Sequence, residues 1–311
     1  VDDYAVPDSI QANMRDWFGE AGQRWLEGLD AMTTRQMETW SLRPTGQPFD
    51  GGSHSYVLPV ERADGTPAVL KLIPYGPESV GEPTGLRAYD GDGAIRLYEY
   101  DAETGAMLLE RAEPGLPLLD HVFPGLNEKD AARRQYTIAS ELYRRLWRVP
   151  APELTAGDFP PLPTAAAILA DWEAQYSSPS GELVDMFGAD RLKRAVELCG
   201  ALADPPEVGI ANHDTHLGNI VSAEREPWLL IDPKPFLAER AFDGGYFVFK
   251  QLFHGPLTGA EPVRIVADGL GADYERVRAW ALLRAIEQAV DAGQGSYADD
   301  VMRVIETLER V

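Results

Sequence analysis

Asn212-His213-Asp214-Thr215-His216-Leu217-Gly218-Asn219, followed by Trp228-Leu229-Leu230-Ile231-Asp232-Pro233, is the stretch on which the fold turns. An aspartate in a loop, an asparagine five residues on, and a second aspartate behind an apolar run form the set that phosphoryl transfer from a nucleotide requires. The first carboxylate accepts the proton of an acceptor hydroxyl; the other two side chains are hard oxygen donors suited to magnesium. Asp214, Asn219 and Asp232 fit these roles in that order. The apolar pair Ile220-Val221 and the run from Trp228 to Ile231 enclose a polar turn at 223–227, which predicts a hairpin returning Asp232 beside Asn219. Singly, each residue would read as a loop or capping residue; the set together carries the chemistry.

Working outward, Val69-Leu70-Lys71-Leu72-Ile73 places one lysine inside an apolar strand. A lysine there is usually on a solvent-facing edge. Upstream of a loop of this type it sits where phosphates of a nucleotide are contacted. Asp50-Gly51-Gly52-Ser53-His54-Ser55 precedes it between two strands, one expected near 38–42 and one from Tyr56. Gly51, Gly52 and Ser53 are candidates to cover the phosphates, because glycine lets backbone amides approach phosphate oxygens. Glu78 and Glu82 are both candidates to pair with Lys71. Glu110 and Arg111, at the end of a later apolar run, are positioned to offer backbone groups to the adenine.

The first third alternates apolar runs with turns. Residues 56–60 and 68–73 flank Asp64-Gly65, and residues 94–100 and 106–111 flank 101–105, after an amphipathic helix over 8–29. Beyond Pro114-Gly115 the periodicity becomes helical over 128–149, 164–176, 183–203, 274–292 and 298–308, with Asn127 as N-cap of the first. The expected architecture is α+β, a two-lobed protein-kinase-like fold. Residues 1–112 form a small antiparallel-sheet lobe that binds nucleotide, and residues 113–311 a larger helical lobe with the catalytic loop and substrate site.

Fifty acidic residues against 28 basic ones leave a formal charge of −22, which speaks against nucleic acid or an anionic membrane as partner and suits a cationic small molecule. No apolar run nears the roughly 20 residues needed to cross a bilayer, and the start at Val1 has no secretory layout, so a cytoplasmic location is expected. A lone cysteine, Cys199, excludes an intrachain disulfide. Nothing in the sequence sets an oligomeric state.

At these residues the chain resembles the streptomycin 6-phosphotransferase and hydroxyurea phosphotransferase group of the aminoglycoside phosphotransferases. The likeness is carried by Trp25-Leu26, Val57-Leu58-Pro59-Val60, Leu70-Lys71-Leu72, Leu86-Arg87-Ala88-Tyr89, Leu108-Leu109-Glu110-Arg111 and, most specifically, the run from Glu226 to Pro235. The resemblance implies an ATP-dependent kinase that inactivates an antibiotic by phosphorylating a hydroxyl, with Asp214 as base and Mg²⁺ at Asn219 and Asp232. Two departures stand out. Asn212 replaces the histidine that usually opens the loop, and Thr215 replaces the leucine after the aspartate. Asn212 has the amide to hydrogen-bond the loop backbone in the histidine's place. Two other readings follow from the same residues. One is a kinase-fold binding protein with weak or no catalysis; the other is a metal hydrolase built on His213, Asp214 and His216.

Overall fold

The computed structural model describes residues 5–50, 55–74, 80–292 and 296–311. Helix α1 (Asp8–Thr39) bends at Gly19, whose φ of 52° and ψ of −129° lie outside the helical range and are open to glycine at little cost. It runs on through Glu38 and Thr39, so the strand expected at 38–42 is corrected: β1 is the short Arg43–Pro44. The helix wins there because Trp25, Leu29, Met32, Met37 and Trp40 recur at helical spacing and pack on one apolar face of the sheet below.

That sheet contains the predicted hairpin, β2 (Tyr56–Glu61) and β3 (Pro67–Leu72), closed at a turn where Gly65 takes φ 84°. After α2 (Glu82–Tyr89) come β4 (Leu97–Asp101) and β5 (Ala106–Glu110), and the strands lie antiparallel in the order β1-β2-β3-β5-β4. Period-two alternation then decides where the lysine goes. Leu70 and Leu72 join Tyr56, Leu58, Val60 and Leu108 in the core under α1. Lys71 and its cross-strand partner Met107 face the other way, toward the main core of the molecule.

The remainder is mostly helical. It comprises β6 (Pro114–Pro117), α3 (Glu128–Leu146), α4 (Ala165–Ser177), α5 (Gly181–Phe187), α6 (Ala189–Leu202), β7 (Gly209–Asn212), β8 (Ile220–Ala223), β9 (Leu229–Leu230) and β10 (Pro235–Ala238). Four helices close the chain: α7 (Arg240–His254), α8 (Glu261–Leu270), α9 (Tyr274–Ala292) and α10 (Ser296–Arg310). Asn127 caps α3 as expected, its side chain accepting the N–H of Asp130 at 3.0 Å. Three expectations are corrected. The single helix over 183–203 is two, parted at Gly188 with φ 76°. The hairpin β8–β9 is accompanied by a second antiparallel pair, β7–β10, and by a strand, β6, laid along β8. Helices α7 and α8 were not expected; in α7 the residues from Ala241 to Phe249 are buried, Tyr246 excepted, with the charged Asp243 among them.

Helix α7 packs against α9, whose residues from Val277 to Ile286 are all buried. The two backbones touch at Gly245, where a Cβ would lie 2.4 Å from Cβ of Trp280 and 2.8 Å from its carbonyl carbon. Gly245→Ala is therefore expected to lower stability by about 1–3 kcal/mol through overpacking, read as a lower urea midpoint. An unchanged midpoint would show that the helices part freely.

Candidate active site

The pairing of β7 with β10 sets Asn212 opposite Pro235, so the chain leaving β7 and the chain entering β10 lie side by side. The ladder continues past both strand ends. His213 donates its N–H to the carbonyl of Lys234 at 2.8 Å, and Lys234 donates its own to Oδ1 of Asn212 at 2.7 Å. The same oxygen accepts from the N–H of Asp214 at 3.4 Å. Asn212, which is buried, thus ties the loop backbone through its amide oxygen in the way its residue type allows. On the far side of the loop Ile231 donates to the carbonyl of Asn219 at 2.8 Å, and the β8–β9 turn brings Asp232 back to the same end.

Beneath the loop lies Asp243 of α7, fully buried. Its carboxylate accepts the N–H of Asn212 at 2.6 Å, and its carbonyl accepts the hydroxyl of Thr215 at 2.8 Å. Burial pushes this carboxyl well above the usual carboxylate range. Sequence reasoning missed Asp243. The available signal was an acid inside an almost wholly apolar segment. Thr215, the departure from leucine, is used here to pin the loop to that helix.

Lys71 reaches the site from β3. Its ammonium bonds both carboxylate oxygens of Glu82, at 2.7 and 2.8 Å, and Oδ1 of Asp232 at 2.6 Å. Of the two glutamates considered, Glu82 is the one the structure places on Lys71, and it is completely buried at the start of α2. Glu78 lies outside the described residues, as do Gly51, Gly52 and Ser53. A second ammonium, that of Lys234, lies 3.2 Å from the same Oδ1 of Asp232. Burial alone would raise the Asp232 carboxyl, but the attraction of Lys71 and Lys234 outweighs it and holds the group far below the usual carboxylate range. Asp232 takes φ 47°, a left-handed conformation uncommon outside glycine, and keeps a third of its side chain exposed.

Asn219 turns its Nδ2 toward Oδ2 of Asp214 at 3.3 Å. Its amide oxygen and the carboxylate of Asp232 make a hard donor set that fits magnesium. His216 accepts the N–H of Gly218 on Nδ1 at 3.1 Å, so a neutral ring carries its proton on Nε2, which lies 3.6 Å from Oδ2 of Asp214. His213 goes elsewhere. Its ring stacks on Phe236 at 4.8 Å and on Tyr246 at 6.1 Å, an occupation unlike that of a metal ligand paired with His216.

Burial, helped by the positive charges of Arg284 and Lys234, lowers the His213 ring to about 2. The sign is that of a depressed folded value: the contribution to stability is whole above the unfolded value near 6.5 and is lost as pH falls below it. Wild-type stability in urea is expected to drop by up to about 1.4 kcal/mol per pH unit between pH 6.5 and 4 from this group, and His213→Phe to lack that part of the slope. Equal slopes in the two proteins would refute it.

Glu110 is occupied within the scaffold. Its carboxylate takes Arg225 at 2.8 and 2.9 Å and the N–H of Arg96 at 2.9 Å, and its own N–H goes to the carbonyl of Arg96. A nucleotide contact through its backbone would therefore use its carbonyl. Arg111, partly exposed, lies 3.4 Å from Glu113 where the chain leaves the sheet.

Residues 39–295 match the family of aminoglycoside/hydroxyurea antibiotic resistance kinases. The chain is 38% identical to a hydroxyurea phosphotransferase of Kitasatospora aureofaciens, over 93% of this chain and 82% of that one. It is 30% identical to a streptomycin 6-kinase of Streptomyces griseus, over 98% and 97%. Among solved structures it is similar to the choline kinase LicA of Streptococcus pneumoniae in its complex with AMP, with a TM-score of 0.58, 12% identity and coverage of 90% and 98%. At that identity the likeness speaks to the fold, which is protein-kinase-like.

Proposed function

Since the chain belongs to the aminoglycoside/hydroxyurea antibiotic resistance kinase family, and is thus a phosphotransferase acting on small molecules, we propose that it moves the γ-phosphoryl group of ATP to a hydroxyl of an antibiotic-like compound and so inactivates it. The observation that carries this reading is the meeting of Lys71 and Glu82 with Asp232, whose neighbour Ile231 is bonded to Asn219, the residue that touches Asp214.

Lys71, steadied by Glu82, holds the polyphosphate. Asn219 and Asp232 would hold Mg²⁺, which supplies charge neutralisation for the nucleotide phosphates. Asp214 orients the acceptor hydroxyl and takes its proton as the oxygen attacks in line. Glu110 and Arg111 mark the crossing where the adenine is held, and Gly51, Gly52 and Ser53 cover the phosphates. ATP as donor is supported by the AMP complex of the LicA relative in fold. Residues 1–112 act as the nucleotide lobe and 113–311 as the lobe for catalysis and substrate, working in the cytoplasm, on a free small molecule rather than nucleic acid or membrane.

The formal charge of −22 favours a cationic acceptor such as an aminocyclitol, whereas the hydroxyurea phosphotransferase relative points to a small neutral one. Among the described residues no helix is long and apolar enough to cross a membrane. ATP consumption with magnesium, measured across streptomycin, other aminoglycosides and hydroxyurea with product masses, tests the reading. A mass gain of one phosphate on one compound supports it and names the acceptor. No binding of ATP in the presence of magnesium would refute it.

A further inference from the structure

Lys234 is a buried cation that the roles above leave without a task. Only 4% of it is exposed, and among the described residues its ammonium has one carboxylate partner, Oδ1 of Asp232, at 3.2 Å. Lys71 differs, because Glu82 grips it with both oxygens whatever Asp232 does. The four side chains balance, two ammoniums against two carboxylates, only while Asp232 belongs to the lysines. Once Asp232 is shared with a divalent cation, as the reading above requires, Lys234 is a desolvated positive charge short of a counter-charge, and a buried charge left so is costly. The arriving anion is the nucleotide polyphosphate.

Which phosphate Lys234 meets follows from its backbone. Lys71 enters from β3, across the site from the catalytic loop. The main chain of Lys234 is bonded on both sides to that loop, its N–H to Asn212 and its carbonyl to His213, directly before Asp214. Of the two lysines on Asp232, Lys234 is therefore the one whose main chain is tied to the loop that carries the proposed base. The phosphoryl group in transfer must lie between the acceptor and the rest of the nucleotide. We infer that Lys234 is a second catalytic cation, which contacts the γ-phosphoryl group and stabilises the charge on its oxygens during transfer, while Lys71 serves the inner phosphates. The inference rests on the kinase reading.

The affinities of wild type, Lys234→Met and Lys234→Arg for ATP and for ADP, each with magnesium, test it by calorimetry alongside kcat on the identified acceptor. In Lys234→Met, ATP is expected to bind about tenfold more weakly and ADP within about twofold of wild type, with kcat lowered about 100-fold or more. Equal weakening of ATP and ADP, or no weakening of either, would show that the lysine only neutralises Asp232 and would overturn the inference. Lys234→Arg keeps the charge and guards against a variant that fails to fold. Its kcat is expected to fall only about tenfold with ADP binding intact, since a planar guanidinium keeps the charge but not its point geometry; a kcat no higher than that of Lys234→Met overturns the inference as well. Failure of the wild-type protein to bind either nucleotide would instead strike the kinase reading itself.

Discussion

Asp214→Ala is expected to lower kcat by about 100-fold to 10,000-fold, the range that a positioned general base contributes, while ATP with magnesium binds as before. The two halves of that expectation have separate structural grounds. Asp214 lies at the open end of the loop, touched by Nδ2 of Asn219 and, more distantly, by Nε2 of His216. Its backbone N–H is held by Asn212, and its neighbours Asn212, His213 and Thr215 are held by Asp243 and Lys234, through bonds that do not involve its own carboxylate. Removing the carboxylate therefore deletes the proton acceptor and leaves the loop, Lys71 and Asp232 in place. Single-turnover kinetics with saturating ATP measure the loss, and calorimetry measures the retained affinity. Wild-type turnover in the variant would remove Asp214 from the chemistry.

The second large effect is on stability. Glu82→Ala is expected to cost about 3–5 kcal/mol in urea unfolding, because it strips the buried Lys71 of its bidentate carboxylate partner. The same change should weaken nucleotide binding, since the ammonium would then be drawn wholly to Asp232. The double variant Lys71→Met with Glu82→Leu separates the two causes. Removing both charges at once relieves the unpaired state, so the double variant is expected to be more stable than Glu82→Ala although nucleotide binding stays poor. If the double variant were the less stable of the two, the pair would be contributing net stability, and the cost would not be that of a stranded charge.

Parts of the site were legible without coordinates and parts were not, for reasons that can be named. Asp214, Asn219 and Asp232 are separated by short chain lengths, five residues and one hairpin, so their proximity follows from local geometry. Lys71 was legible because it interrupts an apolar strand upstream of a loop of the catalytic type, and the structure adds that alternation turns it away from α1. Glu82 was not, because Glu78 and Glu82 both lie in the segment expected to lead into the helix and periodicity does not say which one pairs with the lysine. The choice is made where α2 meets β10, with a Cβ at Gly85 coming within 2.7 Å of Pro235. Asp243 was invisible because the helix that carries it was not recognised, and nothing near it in the chain shows that its carboxylate turns toward the catalytic loop 31 residues away. Lys234, between two prolines, has no periodic signal of burial in the sequence, and the pairing of β10 with β7 is what encloses it.

By itself, then, the sequence determined the α+β succession, the hairpins of the sheet and the loop that carries Asp214, all of which depend on interactions between residues near in the chain. Only the tertiary structure decided which acid holds Lys71, what anchors the catalytic loop from below, and that a second lysine shares Asp232. The contacts span 11 residues for Glu82 with Lys71, 31 for Asp243 with Asn212 and 161 for Lys71 with Asp232, which Lys234 reaches from two residues away. Burial rather than periodicity selects them, and burial is a property of the packed molecule.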